Sequence, residues 1–300
     1  MALVALGVIV VSGAAVRLTK SGLGCTDWPS CEQGRLAPEW TFHGWVEFGN
    51  RLFSGIVSVS VAAAVLAARW RRPYRSDLQR LAWGLVLGVV AQIVLGGVTV
   101  LVDLHPVFVI SHFLLSMVLL ANAVVLLDCA GHEAPGPGGG PFRLHSWAVV
   151  ILAGAVLLAG TVVTGTGPHG GDSRAERLAL DLTWVTRVHS SAVWLFVAAL
   201  ALLAVRAARS GDEVVMGRAR LLLVAAVAQG GIGYLQYALE VPAGLVVLHV
   251  LGAVVVWSGA LWLHLGVLRS GLLADWGHGR RLAEPLGPAP VGGRRQPVSG

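Results

Sequence analysis

The sequence predicts an all-α polytopic membrane protein with eight transmembrane helices in two pseudo-symmetric four-helix bundles. Three observations carry that prediction. Of 300 residues, 55% are hydrophobic and only 13% charged, whereas a soluble domain of this size carries about 25% charged residues. Apolar runs recur at lengths close to the roughly 20 residues a helix needs to cross a bilayer. The second half of the chain also repeats polar landmarks of the first at matched spacing.

The runs fall at about 2–16, 45–68, 81–102, 106–127, 146–165, 183–205, 219–239 and 243–268. The first is short for a span and needs help from its flanks or from a start further upstream. Its opening, MALVALGVIVVSGAAV, lacks the basic stretch of a cleavable signal peptide. The third and fourth runs are parted only by VDLHP and the seventh and eighth by LEVP, with Pro106 and Pro242 suited to helix starts. The Gly- and Pro-rich stretch GHEAPGPGGGPF, beginning at 131, reads as a flexible linker. Four units follow: an N-terminal bundle over 1–130, a cytoplasmic linker over 131–145, a C-terminal bundle over 146–268, and a disordered cytoplasmic tail over 269–300.

The net charge of +6 comes almost wholly from arginine. A basic balance can signal nucleic acid, but these arginines cluster between predicted spans, so no nucleic-acid partner is expected. The 69–80 loop carries five; Arg206, Arg209, Arg218 and Arg220 cluster in 206–220, and five more follow from 269. All of these segments, with Arg143, share one side if both termini are cytoplasmic, as the positive-inside rule requires. The 17–44 and 166–182 loops then lie outside a cell membrane. Cys25 and Cys31, in CTDWPSC, therefore sit in an oxidising compartment, which favours a disulfide over two free thiols or a metal pair. Cys129 reads as structural.

The repeat is specific. Gln92 precedes His112 by 20 residues, and Gln229 precedes His249 by 20. HPVFVISHFLLS matches VPAGLVVLHVLGA, and VEFGNRLFS aligns with VTRVHSSAV, so Asn50 corresponds to His189. Separations agree: 62 residues from Asn50 to His112 and 60 from His189 to His249. Four spans between equivalent positions make the repeat parallel. Gly96–Gly97 and Gly230–Gly231 permit close helix approach.

Histidine inside a membrane helix marks a functional site by default. One such residue can simply bond a neighbouring helix. Two at matched depth on facing helices can hold one iron axially, with a haem between them. Zinc is the rival, but it takes four ligands, and no Cys, Asp or third His lies at that depth. Arg17, Arg51 and Arg187, at outer helix ends, are candidate propionate partners because the guanidinium fork suits carboxylates. Glu47, Asn50 and Arg51 fall on adjoining faces of one helix, with His43 a turn above Glu47. This stripe is the candidate substrate pocket.

In order, RLTKSGLGCTDWPSC, VEFGNRL, QIVLGGVTV, SHFLLS, RVHSSAV and LHVLGA resemble the haem A synthase family over about residues 1–268. That resemblance implies eight helices in two bundles and an oxidoreductase that converts the C8 methyl of haem O to formyl, giving haem A for terminal oxidases. It implies haem b as cofactor in the C-terminal bundle, on His189 and His249, and haem O as substrate in the N-terminal bundle, on His112. It also implies a catalytic role for Glu47 and a Cys25–Cys31 disulfide. Expected partners are membrane lipid, the farnesyltransferase that makes haem O, and an electron donor the sequence does not name. The chain departs from the family pattern at Asn50, where the usual residue is His; the departure fits a five-coordinate substrate haem, a replacement ligand such as His43, or a catalytically impaired paralogue. Ligand counting divides the labour: a haem held by two histidines suits electron transfer, and the bundle lacking one ligand suits chemistry. The alternative is a non-catalytic haem-binding or electron-transfer cytochrome. A transporter built on parallel repeats would place polar residues at mid-depth on broken helices.

Overall fold

The computed structural model describes residues 1–132 and 141–282, with side chains through residue 270. Eight helices follow in order: α1 (Ala2–Leu18), α2 (Phe42–Trp70), α3 (Ser76–Leu101), α4 (Pro106–Gly131), α5 (Arg143–Thr166), α6 (Leu182–Ser210), α7 (Glu213–Ala238) and α8 (Ala243–Leu282). Among the described residues no sheet forms; a single antiparallel bridge joins Glu32 to Arg35. Most of the expected linker, residues 133–140, and the 283–300 part of the expected tail lie outside the described residues.

The helices outrun their apolar stretches because the polar flanks keep helical geometry beyond the bilayer until a cap ends them. Thr41 opens α2 by accepting from the Gly44 N–H, Asp181 opens α6 by accepting from Trp184 N–H, and Asp212 opens α7 by accepting from Val215 N–H. Each satisfies one of the orphan donors of a first turn. Pro106 stands at the first position of α4. Gly211, at φ 72°, closes α6 in the left-handed region where glycine carries no Cβ penalty. Helices α2 to α8 are long and apolar enough to cross a membrane, so the chain is a multi-pass membrane protein. Helix α1, at 17 residues, is shorter and packs against α2, α4 and α8.

Each half forms a closed ring of four. Helices α1 to α4 pack in chain order, with α4 returning to α1; α5 to α8 do the same, with α8 returning to α5. The halves meet along α1, α4, α5 and α8. Trp257 of α8 donates from Nε1 to the Met117 carbonyl of α4 at 2.8 Å, and Arg269 pairs with the buried Asp128 carboxylate of α4. The two tight turns repeat each other closely. Asp103 and Leu104 take φ values of 52° and 59°, and Glu240 and Val241 take 58° and 62°. A β-branched valine in that region is strained, and it is held in the same double left-handed turn as its counterpart.

The packed core of each bundle sits at one end. In the second half it runs through Val149, Leu200, Leu203, Val215, Leu222 and Leu263. In the first half it runs through Leu6, Val61, Leu85, Val89, Leu120 and Ala123. Val61, Leu85, Val149, Leu200, Leu203, Val215 and Leu222 lie toward the arginine-rich ends of their helices. Asn50, His112, His189 and His249 lie toward the opposite end, beneath the 19–41 and 167–181 loops.

Candidate functional site

His189 is about two turns into α6, and His249 about two turns into α8. Their rings face each other across the second bundle, with centroids 6.5 Å apart and planes at 72°. An imidazole nitrogen bonds a transition metal at about 2 Å and the ring centre lies about 1 Å behind it, so two imidazoles on opposite sides of one iron have centroids roughly 6 Å apart. The observed separation fits that arrangement. His189 Nδ1 lies 3.1 Å from the Val156 carbonyl. A carbonyl only accepts, so Nδ1 carries the hydrogen and Nε2 keeps the lone pair a metal needs. His249 Nδ1 is buried with no partner. Among the described residues, no group of three or more His, Cys, Asp or Glu side chains converges as a zinc site would require. The donor set suits haem iron.

The ring positions are set by glycines and glutamines that repeat. A Cβ on Gly160 would meet His189 Cε1 at 3.1 Å, one on Gly233 would meet His249 Cε1 at 3.1 Å, and one on Gly96 would meet His112 Cε1 at 3.1 Å. Each imidazole lies flush on bare helix backbone. Gln229 Nε2 donates to the His249 carbonyl at 2.7 Å, and Gln92 Nε2 donates to the His112 carbonyl at 3.1 Å. Both glutamines keep a buried, unpartnered Oε1, and His112 keeps a buried, unpartnered Nδ1. The equal spacing found in the sequence therefore places equal side chains. The expectation for Gly230 and Gly231 is corrected: a Cβ on either meets nothing within 4 Å, and Gly233 is the glycine in close contact. In the first half the close glycines are Gly96, under His112, and Gly97, under the Trp28 indole at 2.6 Å from a built Cβ.

The polar stripe of α2 turns toward α1 and the loop that follows it. His43 Nδ1 lies 2.9 Å from Ser21 Oγ, and the residue is exposed at the mouth of the bundle. Asn50 Oδ1 accepts from Ser12 Oγ of α1 at 2.7 Å. Glu47 is 5% exposed; its Oε2 accepts from the Cys25 N–H at 2.7 Å, and its Oε1 accepts from Arg51 Nε and Nη2 at 3.1 and 2.6 Å. Arg51 also donates from Nη1 to the Asp27 and Ser30 carbonyls, both at 3.0 Å, and from Nη2 to the Cys25 carbonyl at 3.2 Å. A guanidinium has five N–H groups, and all are engaged. Arg51 clamps the Cys25–Cys31 loop, which leaves it no donor for a propionate. That loop is closed by the expected disulfide, with S–S 2.00 Å. Cys129 is free and buried.

The other propionate candidates differ. Arg17 ends α1 and runs under the second half's loop: a Cβ on Gly171 would meet Arg17 Cγ at 3.3 Å. The two loops are joined there by the Gly22 N–H donating to the Gly171 carbonyl at 2.9 Å. Arg177 of the same loop donates to the Pro168 carbonyl at 2.5 Å, and burial lowers its pKa. Burial raises the Asp172 carboxyl, but hydrogen bonds from the Arg174 backbone and guanidinium outweigh it and hold the group below the usual range. Arg187 is exposed, two residues from His189 and so on a different face of α6. Sequence reasoning missed Ser12, Gly160, Gly233 and Trp28. Only Gly233 carried a signal, since it follows Gln229 by the same four residues that separate Gly96 from Gln92.

A multi-pass membrane protein of two four-helix halves, with His189 and His249 facing each other at the loop end of the second and His112 at the loop end of the first, is the class that fold and site define. Residues 1–169 match the model of the cytochrome oxidase assembly protein family COX15-CtaA. That is more than half of the chain, and the protein belongs to this family. Its curated relatives include three that bear the name Heme A synthase. One from Geobacillus kaustophilus is 31% identical over 43% of this chain and 41% of its own length. One from Symbiobacterium thermophilum is 31% identical over 53% of this chain and 55% of its own. One from Bradyrhizobium sp. is 26% identical over 85% and 86%. In the first two of these matches the chain spans about two fifths to just over half of the relative's length.

Proposed function

We propose that this protein is a haem A synthase, a membrane oxidoreductase that oxidises the C8 methyl of haem O to formyl in successive steps. The carrying observation is the facing pair His189 and His249, at 6.5 Å between ring centres, in a chain of the cytochrome oxidase assembly family. Relatives named Heme A synthase supply the reaction.

On this reading His189 and His249 would hold haem b. The Val156 carbonyl fixes the His189 ring, and Gly160 and Gly233 let both rings sit deep against backbone. His112, seated on Gly96, would hold haem O in the first bundle. Haem iron supplies the redox chemistry at each centre when bound. The disulfide loop, clamped by Glu47 and Arg51 with Trp28 wedged on Gly97, keeps water from that bundle. Glu47 is the proton-handling group there, through Oε atoms fixed by Arg51 and the Cys25 N–H. Arg17 and Arg187 are the propionate partners on this reading, with Arg17 favoured because Arg187 lies on a different face of α6 from His189. The bundle over 1–130 is the substrate half and that over 146–268 the cofactor half. Both termini lie in the cytoplasm and the disulfide loop outside the cell membrane, by the arginine bias. The enzyme making haem O, a farnesyltransferase, is the expected supplier, and a separate electron-transfer partner completes the turnover.

The test is pigment extracted from a host that makes haem O but not haem A, with and without this chain. Haem A that appears only with the chain is expected. Haem b and haem O without haem A would instead favour a non-catalytic haem protein.

A further inference from the structure

The internal repeat aligns Asn50 of α2 with His189 of α6 and His112 of α4 with His249 of α8, and His189 faces His249 across the second bundle. The structure adds what occupies Asn50. Ser12 Oγ lies 2.7 Å from Asn50 Oδ1. That is the ordinary length of an O–H···O bond and short for an N–H···O bond. The serine hydroxyl's other acceptor, the Ile9 carbonyl, is further away at 3.1 Å. Ser12 therefore donates to the amide oxygen. The carbonyl end of Asn50 faces α1, and the Nδ2 amide is left with two hydrogens and no acceptor among the bonds of the described residues. Asn50 is half-buried, in the bundle end where His112 Nδ1 and Gln92 Oε1 are also unpartnered.

We propose that Asn50 is not a weak substitute ligand but a positioned hydrogen-bond donor on the open face of a five-coordinate haem held by His112, with Ser12 as its positioning residue. An amide oxygen tied to Ser12 cannot turn to the iron, and the amide hydrogens then meet whatever small ligand occupies the free face. The inference rests on the haem reading of the first bundle but not on the reaction assigned to it.

Full-length protein is purified with its haems and probed with carbon monoxide in the reduced state and azide in the oxidised state, alongside Asn50→Ala, Ser12→Ala and Asn50→His. Wild type is expected to hold a high-spin haem that binds both probes, beside a low-spin haem that binds neither. Asn50→Ala should still bind carbon monoxide, because the face stays open. Its azide affinity should fall about tenfold, the equivalent of one ordinary hydrogen bond lost. Ser12→Ala should fall between wild type and Asn50→Ala. Asn50→His should close the face, with carbon monoxide binding lost and a second low-spin haem gained. The inference is overturned if wild type shows two low-spin haems and no probe binding, or if azide affinity is unchanged in both Asn50→Ala and Ser12→Ala. It is also overturned if no haem resides in the first bundle of any variant. Absence of haem A formation with these spectra intact would instead remove the proposed reaction and leave the inference standing.

Discussion

Arg51→Leu tests the clamp over the first bundle. Arg51 and Glu47 are an i, i+4 pair with side chains 23% and 7% exposed and Nη2–Oε1 at 2.6 Å. An exposed pair of this kind contributes about 0.3–0.5 kcal/mol. A buried one whose partner is deleted costs about 3–5 kcal/mol, because a charge is left without its counter-ion. Glu47 is buried and Arg51 is partly wet, so Arg51→Leu should cost about 3 kcal/mol, the low end of the buried range. The carbonyls of Cys25, Asp27 and Ser30 lie in a loop and rehydrate, adding little. Glu47→Leu should cost a similar amount, since it also strips the acceptor from the Cys25 N–H. The double variant removes both charges and should cost less than the sum by about 1–3 kcal/mol. Equilibrium unfolding in detergent gives the totals, and hydrogen exchange at the Cys25 amide reads the loop itself. A loss within about 0.5 kcal/mol for Arg51→Leu, or additive single variants, would refute the clamp.

Other consequences follow from the packing. Gly233→Ala places a Cβ 3.1 Å from His249 Cε1, which shifts the ring by a few tenths of an ångström; haem retention in the second bundle should fall about 10–100-fold, as for other changes that misorient a metal ligand, with unchanged retention counting against the ligand role. Thiol titration of denatured, unreduced protein should find Cys129 alone, and three thiols would contradict the Cys25–Cys31 bridge. Reagents applied from outside cells should label the 17–44 loop and spare the 131–142 segment; labelling of both from one side would overturn the topology.

The fold was legible because its signals are local or periodic. The apolar runs give the helices, and equal Gln-to-His spacing gives the repeat, since register along two helices and a fixed turn is a matter of counting. The same turn recurs at Asp103–Leu104 and Glu240–Val241 although the sequences differ, so only the spacing betrayed it. The site was legible in its histidines and opaque in its partners. Arg51 reads as a propionate partner from its place at a helix end, but two of its donors go to Glu47 and three to backbone carbonyls of a loop 21 to 26 residues away, and a carbonyl carries no sequence signal. Ser12 is hidden for a related reason: its role depends on which face of α1 meets α2, and α1 is apolar nearly all round. Helical spacing puts Glu47, Asn50 and Arg51 on adjoining faces of α2, yet periodicity does not say what those faces meet. They meet α1 and the disulfide loop.

The central claim is that His189 and His249 together hold one haem. The most direct measurement is the electron paramagnetic resonance and optical spectrum of purified full-length protein, compared with His189→Ala and His249→Ala. A low-spin haem b signal is expected in wild type, converted to high-spin or lost in each variant, while the haem associated with His112 persists. A low-spin signal unchanged in both variants would contradict the account.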